Sequence, residues 1–446
     1  MEGCFKKGKI MVARKQQDRS AVDILAFATR IPELRRRLLV VVAVFVVYVI
    51  GLHIPIPGVD HAAVRRIIGG GGTLFGLLDV FSGGALRSYT LFAMGLTPYI
   101  DASIVGQLLL FAVPTWQKQV RDGGENGRKE FSKKTRILAL VVAVLQSSAA
   151  TYLMHVKGAI AGGIGTLTVD VVMLCAGTAF LMWLGEIVTT RGIGNGVSLL
   201  IFCGIMVRLP SQLGGIAQGL AAGSIAPWQG LVLGAAFVIG LAAIVQISLA
   251  QRRIPIRHTR KMPGGSSDKI VSYLPLRLNG AGVIPIVFAA SLQLLPSTIA
   301  LFLGEASPTG SLMRRLSAWL MPGHNPVSWL VYAALVMFFT YFYTAVSVNV
   351  DQIADDFKTY GSFIPGIRPG KSTRDYLDRV ATRVTLAGAL FLAAVALMQY
   401  AVPAVTNAGM SVIGGTSLLI VVGVALDTFQ AIEAQLSMRH YQPFIR

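Results

Sequence analysis

Charge is scarce in this chain. Of its 446 residues only 14% are Asp, Glu, Lys or Arg, while 54% are hydrophobic, and the mean hydropathy is +0.63. That balance excludes a soluble globular domain, whose surface needs far more charge. Cysteine is scarcer still. Cys4, Cys175 and Cys203 lie far apart, two of them inside apolar runs, which argues against a disulfide framework or a zinc site and makes them small buried hydrophobes. The six His are scattered, and without a P-loop, an HExxH or a GxSxG no catalytic constellation is visible. The run RGIGNGVS at 191–198 has the glycine density of a phosphate cradle, but no buried strand precedes it and no GK[ST] follows. It reads as a tight turn feeding an apolar segment. The first residues, MEGCFKKGKIMVARKQQDRS, are basic and lack the apolar core and cleavage site of a secretory signal. They are expected to stay cytoplasmic and uncleaved, with Met11 as an alternative start.

What the chain has in abundance is long apolar runs. Segments near 38–54, 89–113, 137–155, 169–188, 197–220, 228–249, 280–302, 327–348, 381–402 and 412–432 are each about long enough to span a bilayer as a helix. An all-α integral membrane protein with ten transmembrane helices is expected. With that count most of the 40 Lys and Arg fall on the side of the N-terminus, so both termini are placed in the cytoplasm. Basic clusters mark the N-terminal segment with Arg35, Arg36 and Arg37, the loop 118–136 and the loop 252–277. By themselves these could serve only to set topology and attract anionic lipid. The loop 351–380 is different, because its acids balance its bases and it holds GSFIPGIRPGKST, whose prolines and glycines impose a rigid turn. Such a loop suits a partner.

Loops on the opposite face, among them HIPIPGVD and a glycine run at 69–72, are short on charge. There only 73–87 has helical content, too short to span, and it ends at Gly83 and Gly84. Irregular backbone at membrane depth persists only where protein buries it or it lines a watery cavity, so the broken stretch FSGGALRSYTLFAMGLTPYIDAS implies a cavity. Asp101 fits either a cavity-facing role or a helix-end acid paired with a neighbour, since facing lipid would cost about 2.5 to 3.5 kcal/mol.

The combination of IPIPGVD, FSGGAL followed by GLTPYIDASI, WLGEIVTTRGIGNGVS, LPLRLNGAGVIP, FIPGIRPG and GGTSLLIVVGVALD, in this order, resembles the SecY/Sec61-alpha family of protein-conducting channels. The resemblance implies a clamshell of two pseudo-symmetric inverted halves of five helices, 30–223 and 227–439, with cytoplasmic segments at 1–29 and 440–446. It implies a plug half-helix at Leu74, Phe75, Gly76, Leu77, Leu78, Asp79, Val80, Phe81, Ser82, Gly83, Gly84 and Ala85, hinged at its glycines. A pore ring would be formed by Leu96, Ile100, Val197, Ile201, Val287 and Ile420, and a lateral gate by the spans after Tyr89 and Gly280.

By the same resemblance Arg252, Arg253, Arg257, Arg260, Lys261 and Arg368 would meet a motor or ribosomal RNA. Implied partners are small SecE-like and SecG-like membrane subunits, the SecA motor ATPase, the ribosome, signal peptides and nascent chains, and the lipid of a bacterial cytoplasmic (inner) membrane. No cofactor, metal or enzymatic activity is implied. The sequence departs from the family pattern at the tip Gly264-Gly265-Ser266-Ser267, where the basic run often continues, at Val350 and Asp356, and at Asp101, where a small neutral residue is expected. A secondary transporter is the competing reading, since broken helices and an intramembrane acid also mark that architecture.

Overall fold

The structure is a computed structural model that describes residues 31–69, 83–258, 272–303, 308–320, 326–348, 350–359, 361–406 and 414–441. The chain runs through α1 (Pro32–Gly51), α2 (His61–Gly69), α3 (Thr97–Ala112), α4 (Pro114–Asp122), α5 (Gly124–Val156), α6 (Ile164–Arg191), α7 (Gly196–Ala221) and α8 (Pro227–Leu249). Strands β1 (Gln251–His258) and β2 (Ser272–Arg277) follow, then α9 (Ile284–Leu303), α10 (Pro308–Leu320), α11 (Pro326–Ser347), α12 (Val350–Thr359), β3 (Ser362–Phe363), α13 (Lys371–Thr406) and α14 (Gly415–Tyr441). Proline stands in the first turn of α1, α3, α4 and α8, where its missing N–H costs nothing and its φ suits helix entry.

Each apolar run read from the sequence overlaps one of α1, α3, α5, α6, α7, α8, α9, α11, α13 and α14. Among the described residues seven helices are long and apolar enough to cross a membrane alone, and α3 with α4 makes an eighth as a pair bent by 104°. The protein is a multi-pass membrane protein. Large apolar side chains stand exposed along the outer faces, such as Val46 on α1, Val172 on α6, Val238 on α8 and Leu390 on α13, where lipid replaces water as the surrounding solvent. Inside are two main apolar clusters. One joins α1, α6, α7, the start of α14 and the chain near Phe92 and Leu96. The other joins α8, α9, α11, α13 and α14 around Tyr332, Leu392 and Leu419.

Two expectations need correction. The span expected at 89–113 starts as a helix only at Thr97, because 83–96 forms consecutive turns in which Gly83, Gly84, Gly95 and Tyr89 take positive φ. The turns are buried in protein, with Ala85, Leu86, Tyr89 and Phe92 at 2% exposure or less, which is what non-helical backbone at membrane depth requires. Second, α2 and α10 occupy regions expected to be loops. Both are short amphipathic helices rather than apolar runs, so a search by apolar length misses them. To the helices the long loops add a small sheet, in which β1 pairs antiparallel with both β2 and β3 in the order β2-β1-β3. The expected plug positions Leu74 to Ser82, with Arg260 and Lys261, lie outside the described residues.

Candidate functional site

The motif WLGEIVTTRGIGNGVS builds one wall of a central cavity. Gly194 takes φ +76° and lets the chain reverse between α6 and α7. Asn195 then caps α7, its Oδ1 accepting from the backbone N–H groups of Val197 at 3.1 Å and Ser198 at 3.4 Å. Gly196 abuts the Gly185 carbonyl, with no space for a side chain between the helices, and its N–H donates to Thr189 Oγ1 at 2.9 Å. Val197 and Ile201, one turn apart, are thereby directed into the cavity.

The opposite walls are placed by the same device. On α14, Gly415 packs against the Val395 carbonyl, and Thr416 Oγ1 donates to Gln399 Oε1 at 2.7 Å. Ile420 follows about one turn later. Before α9, Gly282 at φ +65° turns the chain so that Val283 and Val287 face the same space. The cavity measures about 510 Å3. It is apolar at Ile100, Ile104, Val197, Ile201, Val287 and Ile420 and polar toward Asn195, Ser248, Arg277, Asn279, Asp427 and Gln430.

Five of the expected ring residues, Ile100, Val197, Ile201, Val287 and Ile420, thus line one cavity. The sixth, Leu96, is 3% exposed and packs in the same apolar cluster as Ile420, Val197 and Ile201. Of the positions expected to form a plug, Gly83, Gly84 and Ala85 are described and lie in the buried turns against α1 and α7.

Asp101 does not line the cavity. Its Oδ2 accepts from Gln146 Nε2 of α5 at 2.8 Å and its Oδ1 from Ser291 Oγ of α9 at 3.0 Å. Of the two readings left open by the sequence, the paired acid is the one found. The pairing also ties α3 to α9, two helices that wall the cavity. Neither Gln146 nor Ser291 stood out in the sequence, because a lone Gln or Ser in an apolar run carries no spacing signal.

Toward the polar mouth, the two long loops meet. Arg257 pairs with Phe363 and His258 with Ser362 across β1 and β3, over a small core of Ile254, Ile364 and Leu377. Arg252, Arg253 and Arg257 are exposed on β1, and Arg368 is exposed in the turn after β3. The Arg368 carbonyl accepts from Thr373 Oγ1 at 2.9 Å, and Arg374 Nε meets Asp351 Oδ1 at 2.6 Å, bracing α12 against α13. Arg277 Nη2 donates to Gln430 Oε1 at 3.0 Å and fastens the sheet to α14. A larger groove of about 900 Å3 between α11, α12 and α13 is lined by that ion pair and by none of the expected ring residues. Among the described residues no group of His, Cys, Asp and Glu could hold a metal ion.

Comparison with known proteins agrees with this geometry. The family model described as SecY matches residues 90–429. The chain is 40% identical to the protein translocase subunit SecY of Streptomyces galbus over 94% of this chain and 99% of that one. It is 39% identical to the same subunit of Chlamydia trachomatis over 93% and 96%. In fold it is similar to a solved structure described as a protein conducting channel, with a TM-score of 0.63 at 18% identity, covering 92% of this chain and 96% of that one. It is also similar to Sec61 in the canine ribosome-channel complex from the endoplasmic reticulum, with a TM-score of 0.61 at 18% identity over 92% and 96%. A cavity lined by apolar residues of α3, α7, α9 and α14 accords with what the relatives along nearly the whole chain and the family model over 90–429 show, that the protein belongs to the SecY family.

Proposed function

We propose that this chain is the central channel subunit of a bacterial protein translocase, passing unfolded preproteins across the cytoplasmic membrane and releasing apolar segments sideways into lipid. The observation that carries the reading is the convergence of Ile100, Val197, Ile201, Val287 and Ile420 on one cavity with a polar mouth. An apolar collar closes around a polypeptide without hydrogen-bonding it, so any sequence slides, while ions meet a dewetted barrier. The segment 74–85 is the plug that seals the outer side. The two halves, 30–223 and 227–439, each of five spanning helices, open as a clamshell, and both termini face the cytoplasm.

Lateral release runs between α3 and α9. Partition needs no catalyst, since each residue of a candidate segment contributes from about −0.6 to about +3.5 kcal/mol and the sum decides. Force comes from outside the chain, from a SecA-like ATPase or a translating ribosome that contacts Arg252, Arg253, Arg257, Arg260, Lys261 and Arg368. Charge-assisted contacts of those arginines to phosphate or carboxylate weaken as salt rises. Small SecE-like and SecG-like subunits complete the complex.

The test is translocation of a signal-bearing preprotein into liposomes holding this chain with SecE-like and SecA-like partners. ATP-dependent protection from protease is expected, and Arg368→Glu should abolish it while the purified complex stays folded, because Arg368 is exposed outside the membrane core. Saturable uptake of a small solute with no protection of the preprotein would replace this reading with a transporter.

A further inference from the structure

The short helix α10 carries an apolar face that the described residues leave open. Leu312, Leu316 and Trp319, spaced four and three apart, share one side of it and stand 60%, 42% and 64% exposed. On the other side Gly310 is buried and Met313, Ser317 and Leu320 are half-buried, where α10 packs on α9. Arg315 flanks the apolar side, is exposed, and forms no ion pair among the described residues. With 13 residues α10 measures about 20 Å, too short to span a bilayer.

The place of this face in the fold decides what meets it. Gln293 of α9 is buried, and its Nε2 donates to the carbonyl of Leu320 at the end of α10 and, at 3.5 Å, to the carbonyl of Ser328 in the first turn of α11. Three helices therefore meet at one side chain. Each presents an exposed apolar residue beside it: Leu292 on α9, Trp319 on α10 and Val327 on α11, with Leu330 beyond. Since α11 is long and apolar enough to cross a membrane, Val327 and Leu330 belong to its lipid-facing surface, and the open face of α10 continues that surface. The sheet precedes α9 and α10 follows it, so α10 lies at the membrane face opposite the sheet.

We propose that α10 is an interfacial helix held by phospholipid, with Leu312, Leu316 and Trp319 seated at the boundary of headgroups and acyl chains and Arg315 on an anionic headgroup of the same leaflet. Leucine and tryptophan on one face with a cation beside them is the composition of helices that lie in a bilayer surface, and tryptophan favours that depth. An arginine stem covers apolar surface while its guanidinium reaches phosphate. Through Gln293 the leaflet then holds α9, a wall of the cavity.

The experiment reads depth. In the full chain, with its native cysteines replaced by alanine, Leu312→Cys, Leu316→Cys and Trp319→Cys each carry an environment-sensitive fluorophore in vesicles of phosphatidylethanolamine and phosphatidylglycerol. Leu330→Cys on α11 is the lipid reference, and Ser311→Cys, on the exposed polar flank of α10, is the aqueous one. Labels at 312, 316 and 319 should be quenched by lipid bearing a nitroxide near the headgroup about as strongly as the label at 330, and by aqueous iodide several-fold less than the label at 311. Iodide quenching equal to that at 311 would place the face in water and overturn the proposal. Protection from both quenchers would mean that protein covers it, a second copy or another membrane subunit, and would overturn the lipid assignment. With the label at 316, Arg315→Glu should raise iodide quenching several-fold in these vesicles and change it far less in phosphatidylcholine alone. The same quenching in parent and variant in both lipids would overturn the contact assigned to Arg315.

Discussion

Asp101 departs from the pattern that the rest of its motif follows, and its surroundings explain how a carboxylate is accommodated. Each of its oxygens accepts a hydrogen bond, one from Gln146 and one from Ser291. Asp101→Leu would leave both donors without their acceptor, and each buried unsatisfied group costs about 1 to 3 kcal/mol. The leucine variant should unfold at a clearly lower temperature in detergent than the parent, with Asp101→Asn in between because it keeps one acceptor oxygen. A leucine variant as stable as the parent would show that the pair contributes nothing net. The unusual acid was legible from the sequence, whereas its two donors were not, since they reach it across 45 and 190 residues of chain.

Among the elements, close helix packing depends on glycines that meet carbonyl groups. Gly177 of α6 sits against the Leu91 carbonyl and Gly388 of α13 against the Leu278 carbonyl. Backbone cannot swing aside as a side chain can. Gly177→Val is therefore expected to destabilise by about 1 to 3 kcal/mol through overpacking, whereas Gly214→Ala, facing open space, should stay within about 0.5 kcal/mol of the parent. Thermal unfolding of the purified complex separates the two, and equal stabilities would mean that α6 relaxes away from Leu91. The long helices were legible because an apolar run of spanning length is a local signal. Residues 89–96 were misread as the start of a helix because composition shows apolarity and hides the positive φ of Tyr89 and Gly95. The alternation in SYLPLR, in which every second side chain is partly buried, was a strand signal in plain view that the membrane pattern overshadowed.

For the molecule as a whole, the cavity wall formed by α3 and α9 must part if apolar segments leave sideways. Ser103 and Val287 line that cavity from these two helices. With the native cysteines replaced, a reducible thiol crosslinker joining cysteines at 103 and 287 should block both preprotein translocation and membrane insertion, and reduction should restore both. Unimpaired insertion after complete crosslinking would show that these helices need not separate. The small sheet makes a parallel point, since β1 and β3 join loops that sequence treats as independent. Arg257 and Arg368 thereby belong to one platform.

The sequence by itself determined that the chain lives in a membrane, roughly where it crosses and which residue types could face a pore, because apolar length, charge bias and motif order are properties of contiguous residues. Tertiary structure alone decided that Val197, Val287 and Ile420 face one cavity, that Asp101 is paired, and that Gln293 joins α9 to α10 and α11. Those outcomes depend on which helix faces pack against one another. Packing is settled by shape and hydrogen bonding between segments far apart in the chain, which no local pattern encodes.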